Sequence, residues 1–332
     1  MVESKTLAEL MDMEFAPIKW AVPNLIPEGL AMLAGRPKSG KSMMALGLAL
    51  AVSNGGCAFS ASDYQCEMGS VFFAALEDSP RRLRSRTAKL LESVGGNANS
   101  NFRWSVDLER LDQGGLEAIE KWVDGECNPR LFVIDLLNKV KSPIKSGSLI
   151  YDEEYKIMEG LQKLAINKQI AVLLIHHTRK APSLGNPMDE ISGSTAITGA
   201  CDTLMLLKRT GTKGTLFCQG RDIDEVELAL EGDLNSRTWT LLGDVQQLGQ
   251  SSERQRILDV LAESKDAMSP ADIAGLLDVP RNNIRQLLHS MYNREQDPLI
   301  TKVGRGKYTL TEEVDNNNNN DNNNNSDNKI TK

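Results

Sequence analysis

The hydrophobic positions over residues 30–209 fall into two patterns. Short apolar runs predict buried strands, and the stretches between them have the three- to four-residue spacing of amphipathic helices. The predicted strands lie at 30–35, 69–76, 131–135, 170–177 and 203–209, and the helices between them include 43–54, 81–90 and 116–123. Buried strands that alternate with helices are typical of a mostly parallel sheet with helices on both faces.

The pattern changes after residue 209, where the predicted strands become shorter and more polar. They lie at 214–218, 226–230 and 238–242. Such strands indicate an antiparallel edge on the parallel sheet. The predicted fold class is therefore α/β, with a mostly parallel sheet, helices on both faces and an antiparallel edge.

A second, smaller domain is predicted behind a polar, glycine-bearing linker at 244–251. Three predicted helices, at 252–262, 269–277 and 281–293, are followed by two strands at 299–303 and 307–310. This order resembles a winged helix-turn-helix, so such a domain is predicted at 252–314. Residues 315–332 contain ten asparagines and are predicted to form a disordered tail.

The loop between the first strand and the first helix reads Gly35-Arg-Pro-Lys-Ser-Gly40-Lys41-Ser42 and fits G-x-x-x-x-G-K-[ST] at every position. Its glycines let the backbone N–H groups wrap round a polyphosphate. Lys41 would place a positive charge on the β- and γ-phosphates, and the Ser42 hydroxyl would bind Mg²⁺. ATP and Mg²⁺ are the predicted ligands. The predicted nucleotide-binding residues are Gly35, Arg36, Pro37, Lys38, Ser39, Gly40, Lys41, Ser42 and Met43.

Two acidic residues follow buried strands downstream. Glu77 comes directly after the strand at 69–76, and Asp135 ends the strand at 131–135. Open α/β sheets bind their ligands at the carboxyl ends of the strands. Asp135 is therefore predicted to hold Mg²⁺ opposite Ser42, and Glu77 to act as the base that orients the attacking water. The alternative is that Glu77 is an ordinary first-turn acid, with Asp78 as the N-cap of the next helix.

Two histidines, His176 and His177, end the strand at 170–177. Side chains alternate along a strand, so these two point to opposite faces. One is predicted to contact the γ-phosphate while the other packs or faces the loop. The segment that follows, 179–194, is long and rich in Gly, Pro and Ser, which is typical of a functional or disordered loop.

Composition narrows the protein classes. The 332 residues are 40% hydrophobic and 25% charged, which indicates a soluble globular protein with one large and one small domain. The net charge of −7 means that any contact with nucleic acid must come from local patches. No apolar run reaches the roughly 18 residues that span a bilayer, so no membrane partner is expected. The five cysteines form no C-x-x-C pair, and a reducing cytoplasm is the expected location.

One basic patch stands out in this acidic chain. Residues 280–307 hold six basic and two acidic side chains. A basic third helix and wing would neutralise the phosphates of duplex DNA. The candidate contacts are Arg281, Arg285, Arg305 and Lys307. A winged helix used for protein contact is the alternative.

The ordered set of motifs resembles the RecA-like ATPases of phages and plasmids, the group that includes the RepA-type hexameric helicases. The likeness is carried by the P-loop and by the segments 76–78, 133–136, 176–180, 192–200 and 220–230. It implies a RecA-like ATPase domain at 15–243, preceded by an N-terminal segment at 1–14. It also implies a homo-oligomer, as a hexameric ring.

The resemblance implies roles for individual residues. Lys41, Glu77, Asp135 and His177 would be catalytic, with His177 as the γ-phosphate sensor and His176 as the less favoured candidate. The loops at 139–151 and 179–192 would face a central channel and contact single-stranded DNA. Arg179 and Lys180 are the predicted contacts in the second loop.

One departure from the RepA-type pattern concerns the arginine finger. RepA-type helicases have an arginine in the segment that here reads Gly-Ala-Cys-Asp-Thr at 199–203. Arg209, with Lys208 beside it, and Arg221 are therefore the candidates to reach a neighbouring subunit's γ-phosphate.

These features favour a Mg²⁺-dependent ATPase that acts as a ring-forming DNA helicase or translocase in phage or plasmid replication. The main alternative is an ATP-switched DNA-binding loader or regulator without unwinding activity. A filament-forming recombinase and a small-molecule kinase are less favoured, because neither a polymerisation segment nor a small-substrate pocket is evident.

Overall fold

The computed structural model describes residues 4–141, 150–179, 186–192, 195–233, 235–264, 266–292, 300–304 and 306–311. The chain divides into two compact units, Met1–Val245 and Gln246–Lys332. Several predicted features lie outside the described residues: Lys180, Arg305, the tail at 315–332, and the parts of the two predicted channel loops at 142–149 and 180–185.

The first unit contains eleven strands among the described residues. They are β1 (Trp20–Val22), β2 (Ile26–Pro27), β3 (Gly29–Gly35), β4 (Ser70–Ala75), β5 (Phe102–Ser105), β6 (Pro129–Asp135), β7 (Ala171–His177), β8 (Thr203–Thr210), β9 (Lys213–Gly220), β10 (Val226–Gly232) and β11 (Trp239–Asp244). Its helices are α1 (Leu7–Met11), α2 (Lys41–Asn54), α3 (Pro80–Val94), α4 (Leu116–Gly125), α5 (Leu137–Val140), α6 (Ile150–Lys168) and α7 (Thr195–Gly199).

Nine of these strands form one sheet in the order β11-β10-β9-β8-β3-β7-β6-β4-β5. The strands from β8 to β5 in that order run parallel, and β9, β10 and β11 add antiparallel pairs at one side. The predicted mostly parallel sheet with an antiparallel edge is therefore confirmed.

Helices cover both faces of this sheet, as the apolar runs predicted. Successive residues of β3 enter opposite cores: Leu33 packs with α2 and α3, whereas Met32 packs with α4, α6 and α7. Both side chains are fully buried. A strand that is buried on both faces reads as a continuous apolar run, which explains why β3 is visible in the sequence.

The strand register brings several carboxyl ends to one edge of the sheet. Gly35 pairs with His177 on one side and with Leu207 on the other. Ala75 pairs with Asp135. The P-loop, the acid of β6 and the histidines of β7 consequently emerge at the same edge.

Several elements differ from the sequence prediction, and two of them concern the sheet edge and the predicted linker. Strand β5 was not predicted, because it is a four-residue edge strand without a buried apolar run. Helix α8 (Val245–Glu263) occupies the stretch that was expected to be a linker at 244–251. The glutamines there favour helix, and a single glycine weakens a helix without ending it.

The second unit holds the rest of α8, then α9 (Pro270–Leu277), α10 (Arg281–Tyr292) and the antiparallel pair β12 (Ile300–Val303) and β13 (Lys307–Leu310). Helix α9 begins with a capping box between Ser269 and Asp272. A separate core, which includes Ile273, Leu288 and Ile300, joins these elements. The elements have the predicted order, and their assignment to the winged-helix class stays a prediction.

Candidate nucleotide site

The P-loop needs glycine at both of its motif positions. Gly40 caps α2 in a left-handed conformation, with φ of +99°, which side chains disfavour. At Gly35 the conformation is ordinary but space is short: a Cβ atom would lie 2.7 Å from the carbonyl oxygen of Leu207. The loop therefore keeps its backbone close to β8 and its N–H groups at the start of α2.

Lys41 is 5% exposed and lies at the centre of the site. Its Nζ donates to the Arg36 carbonyl at 3.1 Å and lies 3.4 Å from Nδ1 of His177. Burial lowers the pKa of Lys41, and the negative charges of Asp135 and Glu77 oppose that shift. The ammonium is thus held across the mouth of the loop, where the resemblance places the β- and γ-phosphates.

Ser42 and Asp135, the two predicted Mg²⁺ ligands, lie side by side. The Ser42 hydroxyl donates to Oδ1 of Asp135 at 3.1 Å. Burial raises the pKa of Asp135 to about 6; the Ser42 hydrogen bond and the charge of Lys41 lower it, and the charge of Glu77 raises it. A buried carboxylate beside a hydroxyl and a second acid fits a hard divalent cation.

No cluster of three or more His, Cys, Asp or Glu side chains that could hold a metal occurs among the described residues. The remaining ligands of a Mg²⁺ ion at Ser42 and Asp135 would therefore be triphosphate oxygens and water, which is the arrangement that Mg²⁺ prefers. The residues present fit the predicted metal.

Glu77 is exposed and follows β4 at the same edge. Its negative charge raises the pKa of Lys41, Asp135 and His177. This exposed position beside the metal ligands is compatible with the predicted role as a base.

The N-cap predicted at Asp78 is wrong, because Ser79 caps α3 by accepting from the Arg82 N–H at 3.3 Å. The extended backbone of Ser79 and its short hydroxyl reach the N–H three residues on. The Asp78 carboxylate instead pairs with the guanidinium groups of Arg82 and Arg86. The acid that follows Glu77 is therefore used to anchor two arginines of α3.

The two histidines of β7 point to opposite sides, as strand alternation predicted. His177 is half-buried and approaches Lys41. His176 is 3% exposed, and its Nε2 lies 2.9 Å from the Ser192 carbonyl oxygen. Burial lowers the pKa of His176 to about 4, so its ring is neutral near pH 7 and Nε2 is the donor. His177, the favoured sensor candidate, is thus the histidine beside Lys41.

The loop after β7 is tied back to the strand end. Thr178 and Ile191 form an antiparallel bridge. The Ser192 N–H donates to the His177 carbonyl at 3.0 Å, and the Arg179 N–H donates to the Glu190 carbonyl at 2.7 Å. The base of the predicted DNA loop is therefore fixed within one residue of the candidate sensor.

A protein family described as AAA domain (AAA_25) matches residues 2–183, more than half of the chain. The chain belongs to this AAA domain family. Among solved structures, the ATPase domain of G40P matches 65% of this chain and 85% of that domain, with a TM-score of 0.50 and 14% identity. A DnaB-like replicative helicase, in a structure of its interactions with primase, matches with a TM-score of 0.50 and 14% identity.

The match to the DnaB-like helicase covers 64% of this AAA protein and 58% of the helicase chain. At this identity the likeness shows the fold. Together with the P-loop, this likeness confirms the predicted RecA-like P-loop ATPase fold.

Two cavities of about 450 Å³ each flank the P-loop of the AAA domain. One includes Arg36, Lys38 and Lys208, and the other includes Arg86 and Arg209. These basic side chains make both cavities suited to an anionic ligand. No role at the site was predicted for Arg86, because only the folded domain brings α3 beside the loop.

Trp239 of β11 forms part of the second cavity and was also missed. It is 6% exposed, and its ring lies 3.0 Å from where a Cβ on Gly40 would stand. The Arg209 guanidinium lies 5.4 Å from the ring centroid. The one signal in the sequence is a set of glycines, at Gly40, Gly214 and Gly232, that make room for the indole. That signal can be interpreted only after β10 and β11 have been placed.

The two candidates for the arginine finger, Arg209 and Arg221, lie at opposite ends of the strands of the sheet. Arg209 lies beside this chain's own P-loop. Arg221 pairs with buried Asp202 at 2.7 Å, and Asp202 also accepts from the Leu30 N–H at the start of β3. Neither position tests contact with a neighbouring subunit, so the finger stays a prediction.

The predicted DNA contacts that the structure describes are exposed. Arg179 lies at the base of the loop after β7, Arg281 and Arg285 lie on α10, and Lys307 begins β13. Within the described residues, no helix combines the length and apolarity needed to cross a membrane.

Proposed function

We propose that this protein is a Mg²⁺-dependent ATPase that forms a ring, as a hexamer, and moves single-stranded DNA as a helicase or translocase in phage or plasmid replication. The observation that carries the proposal is the hydrogen bond between Ser42 and Asp135 at the edge where Lys41, His177 and Glu77 also meet. A structural role alone does not require this set of groups in one place.

Each group has a defined task in this proposal. Lys41 neutralises the β- and γ-phosphates, and Ser42 and Asp135 hold Mg²⁺, which supplies further positive charge as negative charge develops. Glu77, being exposed, accepts the proton of the attacking water. His177 senses the γ-phosphate from its place beside Lys41.

Support for a motor on DNA comes from the loop after β7. Its base is tied to His177, and exposed Arg179 lies at that base. A shift of the strand end on hydrolysis would reach this loop directly. The DnaB-like replicative helicase among the structural matches shares the fold over 58% of its chain.

The test is ATP hydrolysis with and without single-stranded DNA, together with separation of a tailed duplex. Lys41→Ala should abolish both activities, because the phosphates lose their principal side-chain cation. Lys89→Ala, on the exposed face of α3, is the matched control and should retain both. Mass measurement with MgATP would report the hexamer. Hydrolysis without any response to DNA would count against the motor.

A second candidate, an ATP-switched DNA-binding loader or regulator, is favoured by the finger region. No arginine occurs at 199–203, and Arg221 is held by Asp202. The combined substitution of Arg281, Arg285 and Lys307 by alanine distinguishes the two. Loss of duplex binding in that variant, with no strand separation by the unmodified protein, would select the regulator.

A further inference from the structure

Two tyrosines form an exposed aromatic pair on α6. Tyr151 and Tyr155 lie one helical turn apart, with ring centroids 6.1 Å apart and ring planes 11° from parallel. The two side chains are 48% and 44% exposed. Among the six aromatic pairs found in the described residues, this is the pair in which both rings are exposed.

The pair lies at the edge of the sheet that carries the nucleotide site. Glu154, between the two tyrosines, is buried and forms an ion pair with Lys141, which follows α5 and Asp135. The charges of Glu154 and Lys141 both act on His176 at the end of β7. The first turns of α6 are thereby anchored beside the two segments that follow β6 and β7.

The chemistry of this surface fits a single-stranded nucleic acid. The two rings are nearly parallel and each side chain is about half exposed, and nucleobases stack on exposed aromatic rings regardless of sequence. Exposed Lys156 directly follows Tyr155, and exposed Lys139 precedes Tyr151 by twelve residues; both would meet phosphates. An apolar protein partner would be served better by aliphatic side chains than by rings that carry hydroxyl groups.

We propose that Tyr151 and Tyr155 form a stacking platform for the bases of single-stranded DNA. This inference rests on the proposed motor function and adds base contacts to the phosphate contacts predicted at the channel loops. The platform holds a base while Lys139 and Lys156 neutralise the adjoining backbone.

The test compares two strands of equal length and charge in the full-length protein at fixed salt, with a non-hydrolysable ATP analogue. One is labelled oligo(dT), and the other is an abasic strand with the same number of phosphates. The unmodified protein should bind oligo(dT) about 10- to 100-fold more tightly. Tyr151→Ala/Tyr155→Ala should lose that preference but keep its affinity for the abasic strand.

Two further variants separate stacking from other roles. Tyr151→Phe/Tyr155→Phe keeps the ring faces and should retain the preference within about twofold. Trp104→Ala removes an exposed aromatic from edge strand β5 and should behave like the unmodified protein.

Several results would overturn the platform. Equal binding of both strands by the unmodified protein would remove the platform while leaving the motor intact. An alanine variant that keeps the preference, or that changes the mass of the oligomer, would assign the pair to another role or to a subunit interface. Failure of the unmodified protein to bind either strand would reject the proposed function together with the platform.

Discussion

Replacing Asp135 with asparagine should stabilise the nucleotide-free protein at neutral pH. Asp135 is 6% exposed, and burial raises the pKa of its carboxyl to about 6. An acid whose pKa is raised on folding binds its proton more tightly in the folded state. The folded protein therefore loses stability as the pH rises from the unfolded pKa to the folded one. Asparagine keeps an acceptor for Ser42 and has no charge to bury.

The size of the effect follows from the two pKa values. The pKa of Asp135 rises from 3.8 to about 6 on folding, a difference of roughly 2 units, and each unit corresponds to about 1.4 kcal/mol. Asp135→Asn should thus gain about 3 kcal/mol over the unmodified protein, in the free energy of unfolding, between about pH 4 and pH 7. Below that window the carboxyl is protonated in both states and the gain disappears.

The four tryptophans give a suitable signal for this measurement. They are Trp20, Trp104, Trp122 and Trp239, all within Met1–Val245. Urea unfolding followed by their fluorescence reports on the unit that contains Asp135. Any cost of the asparagine amide, for example an unsatisfied N–H, is independent of pH. The pH dependence of the difference, rather than its absolute value, is therefore the quantity to compare.

The range from about pH 4.5 to about pH 8 spans the folded-state pKa of Asp135. If the difference in free energy of unfolding between the two proteins stayed constant over this range, the reasoning would be refuted, because Asp135 would then not be desolvated in the folded protein. Glu77→Gln is a useful companion variant. Since the charge of Glu77 raises the pKa of Asp135, removing it should move the transition to lower pH. MgATP should reverse the order of stability, since ligand binding stabilises the folded state and the unmodified carboxylate is the predicted metal ligand.

Three other predictions concern neighbouring parts of the domain. Gly40→Ala should destabilise the protein by about 1–3 kcal/mol in urea unfolding and weaken ATP binding. The reason is that a φ of +99° disfavours a side chain and the added Cβ would lie 3.0 Å from the ring of Trp239. Unchanged ATP affinity would contradict this. His177→Ala should lower the rate of hydrolysis at saturating ATP with little loss of stability. His176→Ala should instead lower the free energy of unfolding by about 1 kcal/mol, since it loses a buried hydrogen bond. Equal effects of the two variants on hydrolysis would argue against different roles for the two histidines. Asp202→Ala should cost about 1–3 kcal/mol in the same unfolding assay, since a buried backbone N–H loses its acceptor, and Asp202→Asn should recover part of it.

The parts of the site that were predictable from the sequence are those carried by single buried strands. Strands β3, β6 and β7 are covered on both faces, so each appears as an apolar run that stops at a chemically distinctive residue. Parallel strands place these ends at one edge. The juxtaposition of Lys41 with Asp135 and His177 then follows from the order of the strands, without knowledge of any loop.

The parts that escaped prediction depend on contacts between distant segments or on weak local patterns. Trp239 reaches the P-loop although its strand, β11, lies four strands from β3 in the sheet. Glycines beneath the ring leave room for this approach. The edge strand β5 is half exposed and has no apolar run. The N-cap of α3 was assigned one residue too early, because Asp78 and Ser79 are both good caps and the choice depends on the backbone angles.

The end of β7 offers a short physical connection between the nucleotide site and the loop that follows it. Adjacent histidines contact different partners: His177 approaches Lys41 at 3.4 Å, and His176 contacts the Ser192 carbonyl at 2.9 Å. The Ser192 N–H also donates to the His177 carbonyl. His177 is therefore connected to the base of the loop through one peptide unit and two hydrogen bonds. Coupling requires an element with two arrangements that both sites bias. The strand end is suited to that task because one ring is buried and hydrogen-bonded while the other is half-exposed beside Lys41, the predicted phosphate-binding residue.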